Sequence, residues 1–168
     1  MRRSARRGRR LVHRDQYVPY LLGRISKGIA SAASVLYRRR LGVGINDSRI
    51  VVVLARRPRI TAKDLSEDTS LNKSVISRSL SVLRAKGIVR ITLAEGLRQI
   101  ELTPAGLGLH DRISNVALDR EQLLLDGFSA PEKEVLIGLL HRMLRNVPLA
   151  NSYDPLRSAA KGKVRRSR

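Results

Sequence analysis

The stretch ITAKDLSEDTSLNKSVISRSLSVLRAKGIVR, residues 60 to 90, reads as two short capped helices joined by a tight connection. Thr61 is an N-cap residue with Asp64 three positions on, and Leu65 begins the buried face. Asn72 caps the second helix, whose Ile76, Leu80 and Leu83 fall at i, i+4 and i+7 on one apolar stripe. Gly87 stops it, with Arg84 and Lys86 in the last turn, where the helix dipole favours cations. Opposite the stripe, Lys73, Ser74, Val75, Ser77 and Arg78 occupy the exposed face of the first turn and a half. Read blandly, such a face is solvated surface. Beside a turn and a basic surplus, it is the makeup of a helix that enters a DNA major groove by its N-terminal end.

Working outward, Ile88 to Leu93 and Arg98 to Leu102 are β-rich, and Ala94-Glu95-Gly96-Leu97 between them supplies a turn. Arg59-Ile60 can add a short third strand. Helix-turn-helix plus hairpin is a winged helix, spanning residues 46–103. Upstream, Pro19 to about Arg40 reads as a long helix with Leu22, Ile25, Ile29, Ala33, Leu36 and Tyr37 along one face. Asn46 can cap a second helix with Ile50, Val53 and Leu54 in the core, although IVVVLA is also strand-like by propensity. Downstream, Thr103-Pro104 starts a helix to about Leu125 that is expected to bury Leu107, Ile113, Val116 and Leu123. Gly106 and Gly108 should weaken its first turns by ~1 kcal/mol each. Ser129-Ala130-Pro131-Glu132 is a capping box, and Val135, Leu136, Leu139, Leu140, Met143 and Leu144 follow as a continuous apolar face.

The expected class is therefore mainly α with a small β-hairpin wing. Helices at 15–45 and 104–149 flank the winged lobe and carry apolar stripes with no second sheet to pack on. Burying them between two copies of the chain is the economical arrangement, so these are expected to be dimerisation helices of a homodimer.

Net charge is +20 over 168 residues, and its distribution is uneven. Residues 1–10 hold six arginines and residues 157–168 six further basic residues, with no acid in either run. The ends, 1–14 and 150–168, have almost nothing to bury and are expected to be disordered basic tails. The middle remains basic without them, which points to double-stranded DNA as the partner, and less to an anionic membrane surface. An RNA-binding protein would fit the charge but not the capped recognition helix. There is no cysteine, so neither a disulfide framework nor a thiol switch exists. No apolar run is long enough to cross a bilayer and none follows the arginines as in a secretion signal, so a cytoplasmic protein is expected.

Catalysis is not expected. His13, His110 and His141 are scattered and lack the spacing of metal ligands, so neither metal nor cofactor is called for. Gly23-Arg-Ile-Ser-Lys-Gly28 has the glycine spacing of a phosphate loop, but Ile29 stands where the lysine is required and the context is helical.

In ITAKDL, NKSVISRSLSVLRAKGIV and ELTPAG, and further in YLLGRISKGIA, SRIVVVLARRP and FSAPEKEVLIGLLHRMLRNV, the chain resembles the MarR family of transcriptional regulators. The order and spacing of these pieces carry the resemblance over residues 17–147. It implies a homodimeric DNA-binding regulator, a repressor, occupying a pseudo-palindromic operator. It implies DNA contacts from Thr61, Lys73, Ser74, Val75, Ser77 and Arg78, with Arg98 as the wing arginine. The absence of cysteine excludes the peroxide-sensing mode used by some members. The family often answers to phenolic or aromatic carboxylate effectors. Tyr17, Tyr20 and Tyr37, with Arg24 and Arg49, are the residues this chain offers for one, unless the tyrosines simply pack at a helix interface. The chain departs from the family pattern at Ser70, where a glycine is usual, at Thr69 and Ser48, where apolar or aromatic residues are usual, and in the Glu95-to-Arg98 spacing of the wing. A non-sequence-specific, nucleoid-type DNA-binding protein is the alternative reading.

Overall fold

The computed structural model describes residues 11–154. The arginine-rich runs expected to be disordered, within 1–10 and 155–168, lie outside the described residues. After a 3-10 turn at Arg14–Gln16 come α1 (Val18–Leu41), α2 (Ile45–Arg56), α3 (Ala62–Thr69) and α4 (Lys73–Ala85). The hairpin β1 (Val89–Ala94) and β2 (Leu97–Leu102) follows, then α5 (Pro104–Leu124) and α6 (Ala130–Asn151). The chain divides into two compact units, residues 1–119 and 120–168.

In the first unit the helix-turn-helix core forms as its stripes dictate. Ile50 and Leu54 of α2, Leu65 of α3, Ile76 and Leu83 of α4 and Ile100 of β2 are each no more than 2 % exposed. Each such side chain contributes roughly 1.5–3 kcal/mol by leaving water. The end of α4 is a Schellman closure: Gly87 has φ +67°, its amide reaches the Arg84 carbonyl at 2.9 Å, and the Ile88 amide reaches Leu83 at 2.9 Å. Glycine takes that backbone conformation without the Cβ penalty that other residues carry.

Several expectations shift. The cap of α2 is Gly44, not Asn46, because the Asp47 carboxylate reaches back to accept the Gly44 amide at 2.8 Å. The third strand is only a bridge, in which the Ile60 and Ile100 amides each donate to the other's carbonyl at 3.3 and 2.9 Å. Along α1 only Ala33 and Tyr37 are buried, whereas Ile25 and Ile29 are 51 % and 38 % exposed. In α5 the buried set is Gly106, Leu109 and Ile113, while Leu107 and Leu123 lie in solvent. The phase is fixed at the first turn. Thr103 Oγ1 donates to the Gly87 carbonyl at 2.6 Å and accepts the Gly106 amide at 3.1 Å, which turns Gly106 inward against β1.

In the second unit, Ser129 caps α6, and Glu132 accepts both the Ser129 amide at 2.8 Å and its hydroxyl at 2.7 Å. Lys133 pairs with Glu121 at 3.1 Å. No residue of α6 is buried; Val135, Leu139, Leu140 and Leu144 are all exposed.

The two glycines at the start of α5 are not equivalent. A Cβ on Gly106 would stand 2.2 Å from the Ile88 carbonyl oxygen and 3.1 Å from Leu102, whereas one on Gly108 would meet nothing within 4 Å. Gly108→Ala should therefore stabilise the chain by up to ~1 kcal/mol. Gly106→Ala should instead destabilise it by about 1–3 kcal/mol or more, since backbone must move. Urea unfolding of the two variants checks this; equal shifts would refute it.

Candidate nucleic-acid interface

Three local devices fix the helix-turn-helix. At the start of α3 the Asp64 carboxylate accepts the Thr61 amide at 2.8 Å and its hydroxyl at 2.7 Å, and Thr61 Oγ1 accepts the Asp64 amide at 3.3 Å. The Thr61 hydroxyl first, and then its amide, hold the Asp64 carboxyl below the ordinary carboxylate range, against a small opposing effect of burial. In the α3–α4 turn Ser70 adopts φ +56°, a conformation usually left to glycine. Hydroxyls on either side support it: Ser66 Oγ donates to the Leu71 carbonyl at 2.6 Å, and Thr69 Oγ1 accepts the Leu71 amide at 3.3 Å. This gives the polar residue at 69 a local role. At the start of α4, Asn72 Oδ1 accepts the Val75 amide at 3.0 Å and the Ser74 hydroxyl at 2.8 Å.

The wing closes through a two-residue turn, with φ +52° at Glu95 and +76° at Gly96. Positive φ at both central residues is the type I′ pattern, whose twist matches that of the paired strands. The register pairs Leu93 with Arg98 and Ile91 with Ile100. Side chains alternate across a strand, so Arg98 shares the face of Ile100, the buried member of β2.

Between α4 and that face lies a cleft of about 930 Å³. It brings together Thr61, Lys73, Ser77 and Arg98, all expected from the sequence to contact DNA, and adds Lys63, Ser81 and Arg84, which were not. Ser77, Ser81 and Arg84 sit at i, i+4 and i+7, a spacing that could have revealed them, because one helix face carries all three. No acidic residue lines the cleft. Four cations around one opening concentrate positive potential where an anionic polymer would lie. Ser74, Val75 and Arg78 lie outside this lining. The Ser74 hydroxyl is engaged in the cap, Val75 is half-buried, and Arg78 is exposed with its Nε donating to the Ser74 carbonyl at 3.4 Å.

The tyrosine and arginine candidates separate. Tyr37, 6 % exposed, and Arg49 line a second cavity of about 390 Å³ together with Ser48 and Asp68. The buried Ser48 donates its hydroxyl to the Ile45 carbonyl at 2.8 Å, which satisfies it where an aromatic ring would otherwise stand. Tyr20 and Arg24 do not line that cavity. The Arg14 and Arg24 guanidiniums stand 5.8 and 5.9 Å from the Tyr20 ring centroid, within cation–π range. Among the described residues, no cluster of three or more His, Asp or Glu is placed to hold a metal ion. No described helix is long and apolar enough to cross a membrane.

With this geometry in hand, similarity to known proteins is informative. The family described as bacterial regulatory protein, arsR family, matches residues 48–90. Those residues are the helix-turn-helix and the start of the wing, so the match says nothing of α1, α5 or α6. No curated protein matches the chain. A solved MarR-family transcriptional regulator from Silicibacter pomeroyi is 26 % identical with a TM-score of 0.74, over 83 % of this chain and 97 % of that one. The chain has the winged helix-turn-helix fold of the MarR-type regulators. A MarR/EmrR family regulator from Acinetobacter sp. ADP1 shares the fold at 24 % identity and TM-score 0.75, covering 82 % of this chain and 99 % of that one. So does MepR of S. aureus, solved as a DNA complex, at 19 % identity and TM-score 0.70, covering 79 % of this chain and 98 % of that one. Both flanking helical regions are needed for such coverage, and this is what separates the MarR-type chain from a bare helix-turn-helix.

The Asp64 capping box gives this MarR-type lobe a defined acid sensitivity. Because the folded-state pKa is lowered, the stabilisation is complete above the unfolded-state value and is lost as pH falls through the folded one. Asp64→Asn should thus lower the thermal midpoint at neutral pH, and its difference from wild type should shrink as pH falls below the ordinary carboxylate value of 3.8. Thermal scans across pH test this; a difference independent of pH would rule the carboxylate out as the cause.

Proposed function

We propose that the chain is a homodimeric, DNA-binding transcriptional regulator of the MarR type, acting in the cytoplasm as a repressor on a pseudo-palindromic duplex. The observation that carries this reading is the acid-free cleft between α4 and the wing, with Lys63, Lys73, Arg84 and Arg98 around it and the capped N-terminus of α4 beside it. The MepR–DNA complex, which shares the fold, supports it. In this reading α4 enters the major groove. Arg78 bonds a guanine edge, Ser74 and Ser77 reach bases or phosphates, and Val75 meets a thymine methyl. Lys73 and the amides at the start of α4, with Thr61, hold phosphate, and Arg98 reaches the minor groove.

Dimerisation supplies the cover that α6 lacks. Its exposed leucines and valine are more apolar surface than a soluble monomer normally leaves in water. A symmetric dimer would set two copies of α4 about one helical turn, ~34 Å, apart on the duplex. A small aromatic or phenolic effector would enter the cavity at Tyr37 and Arg49, change the spacing of the two lobes, and so release the operator. Tyr20 and Arg24 do not line this cavity.

The twelve basic residues of the chain ends favour a second reading, a nucleoid-type protein that coats DNA without regard to sequence. Competition between a duplex selected from host DNA and random DNA at physiological salt separates the two. Electrostatic binding alone gives no large specificity ratio.

Two substitutions test the primary reading. Arg78→Ala should weaken binding to the selected duplex by roughly 1–3 kcal/mol while leaving random-DNA binding almost unchanged. Equal losses on both would remove Arg78 from base readout. Leu140→Asp should place a charge in the seam between copies and yield monomer or unfolded chain in sedimentation. A variant that remains a folded dimer would place the seam elsewhere.

A further inference from the structure

At the foot of the wing three residues distant in sequence are tied together. Glu101 accepts a hydrogen bond from Arg90 Nε at 2.7 Å across the strand pair and another from Arg59 Nε at 3.3 Å. Arg90 and Glu101 are direct cross-strand partners, so this arm of the pair closes within the hairpin. The other arm leaves it, because Arg59 belongs to the α2–α3 link. The Glu101 side chain is 13 % exposed, while those of Arg59 and Arg90 are 69 % and 60 % exposed. The carboxylate is the sheltered centre, and the guanidiniums are its arms. Arg90 before Arg59 holds the Glu101 carboxyl below the ordinary range, so it stays ionised at neutral pH.

Arg59 is also one of three non-glycine residues among the described residues with positive φ, at +59°. A residue with a side chain takes that conformation only where its surroundings hold it there. Here the two hydrogen bonds between Ile60 and Ile100 begin at the next residue, and the Arg59–Glu101 pair straddles the same rung. A two-stranded hairpin is marginal on its own and takes its orientation from the helices it packs on and from what holds its base. That base is the Ile60–Ile100 bridge with Glu101 beside it. Arg98 stands three residues along β2, about 10 Å toward the tip at the usual strand rise.

We propose that Glu101 is a positioning residue for the wing: by holding Arg59 and Arg90 together it locks the base of the hairpin to the α2–α3 link and so sets where Arg98 stands against α4. The inference rests on the reading of Arg98 as a DNA contact. It carries a sign that simple electrostatics does not. Neutralising an acid in a cationic lobe should by charge alone strengthen binding to every duplex. If Glu101 positions the wing, Glu101→Gln strengthens nothing on the preferred duplex. It weakens that complex, because a wing free to swing must be ordered on binding.

The test is a double-mutant cycle on full-length protein. Wild type, Glu101→Gln, Arg98→Ala and the double variant are titrated with the selected duplex and with random DNA at one salt concentration. Glu101→Gln should lose about five- to tenfold in affinity for the selected duplex, the scale of a charge-assisted contact. Its random-DNA affinity should not fall, and the double variant should bind the selected duplex no more weakly than Arg98→Ala alone. Tighter binding of Glu101→Gln to both duplexes, additive losses in the double variant, or an Arg98→Ala variant without effect on the selected duplex would each overturn the proposal.

Amide hydrogen exchange reads the clamp without DNA. The Ile60 and Ile100 amides should lose about tenfold in protection in Glu101→Gln, while amides of α4 keep theirs. Unchanged protection overturns the clamp even where wild type fails to discriminate the two duplexes, a result that would count against the functional reading instead. Should Glu101→Gln unfold, Arg59→Gly removes one arm while leaving the left-handed backbone accessible, and it should show the same loss of protection.

Discussion

The close approach of α5 to the strand that leads into the wing is the constraint on which the rest of the first unit depends. The Ile88 carbonyl accepts the Thr103 amide at 3.0 Å and lies where any side chain at residue 106 would have to go. The Thr103 hydroxyl holds the Gly87 carbonyl at 2.6 Å and caps the helix by accepting the Gly106 amide. One residue thereby closes the hairpin, terminates the recognition helix from outside and starts the next helix. Because Gly106 must face inward, Leu109 and Ile113 follow it into the core by helical period alone, and Leu107 is turned out.

Much of this was legible in the residues. The capping boxes at Thr61 and Ser129, the cap at Asn72, the stripe Ile76–Leu80–Leu83 and the Gly87 stop all rest on contacts within a few positions along the chain, which sequence spacing reports directly. Most of what the sequence did not reveal required a partner far along the chain. The burial phase of α5 is decided by Ile88, sixteen or more residues away, so the apolar pattern at Leu107 and Leu123 pointed to the wrong face. The Arg59–Glu101 pair spans 42 positions, and no local pattern announces it. The cap of α2 failed for a different reason. Asn46 is the better capping residue by type, but Asp47 reaching back to the Gly44 amide makes the helix begin two residues earlier.

The candidate interface was legible to the same degree. Thr61, Lys73, Ser77 and Arg98 converge on one cleft although Arg98 is 37 positions from Thr61: the exposed face of α4 follows from its apolar stripe, whereas Arg98 entered through the family resemblance. Lys63 and Arg84 escaped notice because Lys63 lies just inside a cap and Arg84 was assigned to the dipole of its own helix. A residue in the last turn of α4 satisfies that dipole and lines the cleft at once. Of the tyrosines, only Tyr37 reaches the second cavity; Tyr20 lies nearly five helical turns earlier on α1, beside arginines of its own neighbourhood.

The turn at Glu95-Gly96 also limits how the wing can change. Alternation along a strand has a period of two, so a one-residue slip of β2 against β1 would carry every side chain of β2 to the opposite face. Arg98 would leave the side of Ile91 for that of Thr92, and Ile100 would have to abandon the core. Variation in wing length is therefore open to this chain where it leaves that register intact, in the loop at the tip or by residues added to both strands together.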